Sequence, residues 1–220
     1  MIRSILSGAS LLALNAGGAA AATVFFNPPD NANAVEATAS VAATAFSIAP
    51  GATVAAAALP VLAADGAFDA FWDGAAAYWI FADDAGGPGA VLASGAGVQA
   101  TAVDLGITPG FQNNVFALSF NLAAPFTAAP GASYWFGLHL AGEYDRGGLY
   151  WMTSAAPTGV QTAAGGAFDA WAPGLGAGLA LELLDSPIAP PSADVPPPAA
   201  APLMLLGLAG LGVASRRRPG

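Results

Sequence analysis

The chain has 220 residues, of which 55% are hydrophobic and only 9% charged, so it is long and apolar enough to bury one sizeable core and lies outside the disordered class. It contains no cysteine, which excludes disulfide bonds, thiolate metal sites and cysteine nucleophiles. It also contains no lysine. All fourteen acidic residues lie between Asp30 and Asp194, and Arg146 is the single arginine in that range, so this part of the chain carries a negative charge that repels nucleic acid.

The first 22 residues have the three parts of a secretory signal peptide. Arg3 supplies the positive charge, residues 5–14 form the apolar region, and Ala20 and Ala22 form the small-residue motif that signal peptidase requires. We therefore expect cleavage near Ala22/Thr23. The apolar stretch is too short for a spanning helix, and the alternative is a buried N-terminal helix.

Strand patterns dominate residues 23–184, which we predict to form the folded body. Apolar side chains alternate with other residues in 114–122, 133–140 and 178–184, as expected for half-buried strands. Residues 77–83 form a further apolar run with aromatic and β-branched side chains. The side chains predicted to share the core faces are Phe116, Leu118, Phe120, Leu122, Tyr134, Phe136, Leu138, Leu140, Leu179, Leu181 and Leu183, with Glu182 facing out.

Five Pro-Gly pairs lie between the apolar runs, and such a pair suits the two central positions of a type II turn. Together with the strands, they predict an all-β protein, an antiparallel β-sandwich with jelly-roll-like or immunoglobulin-like topology. A signal helix would precede the sandwich and a hydrophobic helix would follow it. The pairs are Pro50-Gly51, Pro88-Gly89, Pro109-Gly110, Pro130-Gly131 and Pro173-Gly174.

The sequence Gly-Ala-Phe-Asp-Ala occurs twice, at 66–70 and 166–170, each time followed by aromatic residues. Equivalent corners on two sides of a sandwich would produce this repeat. Chance in an alanine-rich chain would produce it as well, so both explanations stay open.

Carboxylates beside turn residues suit a hard cation such as calcium, which takes six to eight oxygen ligands. Asp83 and Asp84 form one such group, and Glu143 and Asp145 form another, although neither matches the regular calcium-binding loop. A glycoside hydrolase would need two carboxyl groups facing each other across a cleft, which sequence spacing does not show. The simpler interpretation is that these acids are exposed turn residues, and no other cofactor is predicted.

Three tryptophans follow a tyrosine, and neighbouring residues of a strand point to opposite faces. If Trp79, Trp135 and Trp151 pointed outward, they would form a platform that stacks on sugar rings. Core packing is the preferred alternative, because aromatic side chains are the main apolar mass of this chain.

His139 is the only histidine, and the chain lacks a Gly-x-Ser-x-Gly nucleophile motif. One histidine without cysteine also excludes the usual zinc ligand sets. We therefore expect His139 to be a structural residue, and we expect the protein not to be an enzyme.

The C-terminal part changes composition twice. Residues 185–198 are rich in proline and predict an extended linker. The uncharged run 199–215 is close to the length of a spanning helix and is followed directly by Arg216, Arg217 and Arg218. Arginines in this position stay on the cytoplasmic side, so the tail predicts a membrane anchor whose attached body lies outside.

This tail resembles the PEP-CTERM sorting signal of Gram-negative bacteria, which an exosortase of the inner membrane recognises and processes. The resemblance covers residues 195–220, with one departure: Pro197 stands where the family usually has glutamate. A plain C-terminal anchor is the alternative. The matching residues are Val195, Pro196, Pro198, Ala199, Ala200 and Pro202, the run LMLLGLAGLG, and Arg216, Arg217 and Arg218.

The body resembles the choice-of-anchor ectodomains, which are bacterial surface β-sandwiches that occur with interchangeable sorting tails. The resemblance lies in the aromatic segments AYWIFADDAGGPGAVLASG, FNLAAPFTAAPGASYWFGLHL and GLYWMTSA, between Tyr78 and Leu183.

The expected function is that of an exported, non-enzymatic protein of the cell surface or extracellular matrix. Its partners would be signal peptidase, an exosortase and, because such tails occur in exopolysaccharide-producing bacteria, exopolysaccharide. It would be anchored in the inner membrane during sorting. The alternative function is a carbohydrate-binding module that uses the three tryptophans and the acidic loops. A hydrolase is the third hypothesis.

Overall fold

The computed structural model describes residues 21–30, 32–64, 68–107, 113–145 and 147–190. The chain divides into two units, 1–188 and 189–220, and all described strands lie in the first. The predicted signal helix and C-terminal hydrophobic helix fall on residues outside the described ranges. Within those ranges, no helix is both long enough and apolar enough to cross a membrane.

The described residues form fourteen strands and one short helix. These are β1 (Thr23–Asn27), β2 (Ala34–Glu36), β3 (Ser40–Phe46), β4 (Thr53–Ala63), α1 (Phe68–Phe71), β5 (Ala77–Asp84), β6 (Gly87–Ala96), β7 (Val98–Ile107), β8 (Asn114–Thr127), β9 (Tyr134–His139), β10 (Leu149–Ser154), β11 (Val160–Ala164), β12 (Ala172–Pro173), β13 (Gly178–Leu179) and β14 (Leu181–Leu184).

All strand pairs are antiparallel and belong to two sheets, which confirms the predicted all-β class. In the described residues, the first sheet has eight strands and is organised around β4. This long strand pairs with β8 along one side and with β14 and then β10 along the other, while β1, β2, β7 and β13 join at the margins. The second sheet has six strands in the order β12-β11-β3-β9-β5-β6.

Aromatic side chains from both sheets meet between them. Tyr78 of the six-stranded sheet lies 6.2 Å from Phe120 of the eight-stranded sheet, and Phe136 meets Trp151 edge-on at 6.4 Å, both between ring centroids. The predicted core faces are confirmed, because these side chains are buried or partly buried in one cluster. Its members from the three alternating segments are Phe116, Leu118, Phe120, Leu122, Tyr134, Phe136, Leu138, Leu140, Leu179, Leu181 and Leu183.

Two of the five predicted Pro-Gly turns are present as turns. Gly51 and Gly131 have positive φ angles of 75° and 69°, as the second central position of a type II turn requires. Pro88 and Pro173 instead lie within β6 and β12, and the pair Pro109-Gly110 lies outside the described residues.

The β5–β6 hairpin turns before Pro88, at Ala85 and Gly86, which have φ angles of 51° and 88°. The prediction of a Pro88-Gly89 turn was therefore wrong. Two consecutive positive φ angles are typical of the hairpin turn whose twist matches that of the flanking strands, and proline cannot adopt a positive φ.

The two copies of Gly-Ala-Phe-Asp-Ala do not occupy equivalent corners. Phe68 of the first copy starts α1 and stacks on Phe116 in the core between the sheets, with 4.1 Å between ring centroids. Phe168 of the second copy packs on the outer face of the six-stranded sheet, 5.1 Å from Phe81. The repeat therefore has no common structural role, which favours chance as its origin.

Replacing Leu118 with alanine should lower the free energy of unfolding by about 3 kcal/mol, because the side chain is fully buried between the sheets and alanine leaves a cavity. The matched control is Leu92→Ala, which removes a side chain that is 49% exposed and should change stability by less than about 0.5 kcal/mol. Urea unfolding of the two variants measures the difference, and equal losses would contradict the assigned core.

Candidate functional site

The predicted sorting residues all lie outside the described part of the chain. They are Val195, Pro196, Pro198, Ala199, Arg216, Arg217 and Arg218, and Ala20 of the predicted cleavage motif is also outside. Ala22 is described: its backbone nitrogen donates to the Asp185 carboxylate at 2.8 Å, and its carbonyl accepts from the Asp185 nitrogen at 3.0 Å. The predicted cleavage position therefore lies beside the first residue of the predicted linker.

The three tryptophans do not form an exposed platform, which corrects the glycan-binding hypothesis for them. Trp151 is completely buried between the sheets, where its indole nitrogen donates to the Ala180 carbonyl at 2.6 Å. Trp135 is 2% exposed and Trp79 is half-buried, both on the opposite side of the six-stranded sheet from Trp151. The preferred alternative, core packing, therefore holds for Trp135 and Trp151.

A segment after β11 packs against Trp79 and belongs to the same apolar cluster as Trp135. Phe168 lies edge-on to Trp79, with 5.3 Å between ring centroids, and stacks on Trp171 at 5.7 Å. Trp171 in turn meets Phe81 at 5.2 Å. These rings form a second apolar cluster on the outer face of the six-stranded sheet, so aromatic residues separated by about ninety positions in sequence protect each other from water.

The four predicted calcium ligands are not brought together. Asp83 and Asp84 end β5, whereas Glu143 and Asp145 follow the far end of the neighbouring β9, so the two groups lie at opposite ends of the sheet. Asp83 also accepts a hydrogen bond from the Trp135 indole nitrogen at 2.7 Å. Among the described residues, no three His, Cys, Asp or Glu side chains form a group suited to a metal ion.

His139 occupies a structural position. It is 2% exposed, its Nε2 donates to the Thr38 carbonyl at 2.7 Å, and its ring stacks on Tyr144 with 3.9 Å between centroids. Because Thr38 lies in the crossing from the eight-stranded sheet to β3, this hydrogen bond joins β9 to the point where the chain changes sheets.

A small pocket of about 210 Å³ opens on the outer face of the eight-stranded sheet. Its floor includes a row of residues that lie opposite each other on four adjacent strands, Phe26, Glu182, Ala58 and Ser119. A second row, Pro60, Ala117 and Val103, extends the floor across β4, β8 and β7. The lining is therefore mainly apolar.

Of the described acidic side chains, Glu182 alone lines this pocket, and it is 7% exposed. Its Oε1 accepts from the Thr23 hydroxyl at 2.5 Å, which orients the carboxylate. Its Oε2 is buried and has no hydrogen-bond partner among the described residues. A buried carboxylate oxygen without a donor costs free energy, so the site is poised to accept one.

Lysine and arginine cannot supply that donor within the described residues, because all five arginines lie outside them and the chain has no lysine. The sequence pattern placed Glu182 on the outer face of β14 but did not indicate its burial. Burial results from β1 and β4 packing on either side of β14, and both lie far away in sequence. No signal in the sequence indicates these neighbours.

Comparison with known proteins identifies no relative: no family model, curated protein or solved structure matches the chain. The resemblances of the tail and of the body to known families therefore stay predictions.

Burial raises the pKa of the Tyr144 phenol above its ordinary value of 10.0. The unfolded chain would then lose this proton at a lower pH than the folded protein, so stability should fall as the pH rises past about 10. Tyr144→Phe removes this contribution, and its stability should decline less than that of the wild type between about pH 9 and about pH 11. Urea unfolding across this range measures the effect, and parallel declines would refute it.

Proposed function

We propose that the protein is exported, sorted through its C-terminal segment by an exosortase-like enzyme, and retained at the cell surface or in the extracellular matrix as a non-enzymatic component associated with exopolysaccharide. The observation that carries this proposal is the extent of the strands. Among the described residues, they begin at Thr23, directly after the predicted cleavage motif, and end at Leu184, directly before the proline-rich linker.

The positions of the two body ends support processing at both termini. Thr23 and Leu184 are opposite each other in the β1–β14 ladder, so both ends leave the body at the same margin of the eight-stranded sheet. Removal of residues 1–22 would leave all fourteen described strands intact, because β1 begins at Thr23. The body is thereby compatible with translocation, signal-peptide removal and temporary tethering by its tail.

Hydrogen bonds hold the start of the linker against the body. This supports the role of the linker as a spacer that leaves the body at a fixed point. The Asn121 side chain accepts from the Ile188 nitrogen at 2.6 Å and donates to the Ile188 carbonyl at 3.0 Å. The Asn121 side chain thus bonds to both backbone groups of Ile188, as the backbone of a paired strand would, and it is 7% exposed. The proline-rich sequence after it favours an extended chain.

As part of this proposal, the body is a choice-of-anchor-like ectodomain with a jelly-roll-like or immunoglobulin-like arrangement of its strands. The carbohydrate-binding alternative is disfavoured, because Trp135 and Trp151 are buried and cannot stack on a sugar ring. Association with exopolysaccharide would then use another surface of the body.

Intact mass and cell fractionation in the native host test the proposal. The mature protein should begin near Thr23 and lose Arg216–Arg218 only when the exosortase-like enzyme is present. Replacing all three arginines with glutamine should block this step. The cluster is part of the predicted recognition signal, and its charges hold the end of the apolar segment on the cytoplasmic side. The matched control is Arg146→Gln, which removes the single arginine of the body and should leave processing unchanged.

A tail that stays intact in both the presence and the absence of the enzyme would refute the sorting step and leave a simple membrane anchor. A precursor of full mass in the cytoplasmic fraction would refute export as well.

A further inference from the structure

We propose that the pocket on the outer face of the eight-stranded sheet binds a small apolar molecule that carries a protonated amine, with Glu182 as the residue that binds the ammonium group. The proposal concerns the folded body and does not depend on the processing of the C-terminal tail. Three properties of the pocket lead to it: its size, its apolar lining and the unsatisfied oxygen of Glu182.

The size of the pocket sets the size of the molecule. Its volume of about 210 Å³ exceeds the roughly 150 Å³ of an apolar cavity that holds benzene and is smaller than the roughly 300 Å³ at which drug-sized sites begin. A ligand of about six to twelve non-hydrogen atoms fits this interval. An alkyl chain or a single aromatic ring with one polar group has this size.

The lining of the pocket favours a ligand that is mostly apolar. Ala58, Pro60 and Ala117 form a floor without hydrogen-bond donors in their side chains, and Phe26, Val103 and Leu105 border it. These three are 45%, 59% and 50% exposed, although side chains of this kind are normally covered. A ligand in the pocket would remove part of this apolar surface from water, which is the main favourable contribution to binding.

The charge of the site selects the polar group. Thr23 satisfies Oε1 of Glu182 and leaves Oε2 without a donor, so the ligand has to donate. An ammonium group forms a charge-assisted hydrogen bond, which is about twice as strong as a neutral one. The acidic surface of the body attracts cations and repels carboxylates, so it favours the same choice.

Access to Oε2 requires a small movement of the Glu182 side chain, because this oxygen is buried. The terminal torsion of a glutamate has a broad energy minimum, so the carboxylate can rotate toward the pocket at low cost. The Thr23 hydroxyl can follow this rotation. Ser119, the neighbouring polar side chain of the floor, already shares a hydrogen bond of 3.1 Å with Thr101 and is therefore not the primary partner.

Calorimetric titration of the full-length protein with three probes of equal chain length tests the proposal. Hexylammonium should bind with a Kd of about 0.1–1 mM, 1-hexanol more weakly, and hexanoate not measurably. Glu182→Gln should weaken hexylammonium binding about tenfold or more and change hexanol binding little, because only the ammonium needs the charge. Ala117→Leu should abolish binding of both probes by filling the pocket.

The matched control is Glu143→Gln, which removes the same charge from an exposed loop beside the other sheet and should leave hexylammonium binding unchanged. Equal weakening by Glu143→Gln and Glu182→Gln would mean that the cation binds the acidic surface in general, and would overturn the proposal. Hexylammonium binding that survives Ala117→Leu would also overturn the proposal, because the probe would then bind outside the pocket. The Ala117→Leu variant provides this test even if Glu182→Gln does not fold.

The same titration on protein that lacks residues 1–22 extends the test to the processed form. Cleavage at Ala22/Thr23 creates a new α-ammonium group on Thr23, next to Glu182. A preference for hexylammonium over hexanol should persist in this form. Equal binding of the two probes would show that the chain's own N-terminus binds Glu182, and would overturn the proposal for the mature protein.

Discussion

The packing of aromatic side chains against alanine-rich strands is the constraint on which the rest of this structure depends. Alanine buries little area, and β3 and β4 contribute several alanines, among them Ala42 and Ala57, to the space between the sheets. The large rings of Tyr78, Phe136 and Trp151 fill that space from the neighbouring strands and are almost completely buried. These large side chains add apolar area to the core of a chain that has no cysteine to form disulfides.

The lack of lysine and arginine in the described residues imposes a second constraint. Carboxylates there can be stabilised only by N–H and O–H donors or by water. Glu36 shows the common solution: it accepts from the backbone nitrogens of Thr38 at 2.6 Å and Ala39 at 2.8 Å, at the point where the chain crosses between sheets. Glu182 departs from it, because one of its oxygens is buried without a donor. Among the acidic side chains of the described residues, Glu182 is the one with a buried oxygen left available to a ligand.

The two outer faces of the sandwich differ in how they are covered. Phe168 and Trp171 pack against Phe81 on the outer face of the six-stranded sheet, in the same cluster as the buried Trp135, so β9 carries no exposed ring platform although its aromatic residues point both ways. The face of the eight-stranded sheet keeps exposed apolar residues around the Glu182 pocket. The same strand pattern therefore leads to an aromatic cluster on one outer face and to a pocket with exposed apolar margins on the other.

Local pattern in the sequence determined the strand class and the core faces, because the alternation of Phe116, Leu118 and Phe120 requires only that neighbouring residues point to opposite sides. It could not determine the hairpin turn at Ala85 and Gly86, where the twist of two paired strands prevailed over a Pro-Gly pair. Nor could it determine the burial of Trp135 or Glu182. Each is covered by segments far away in sequence, and only the tertiary structure decides which segments meet, because those contacts depend on strand order rather than on local periodicity.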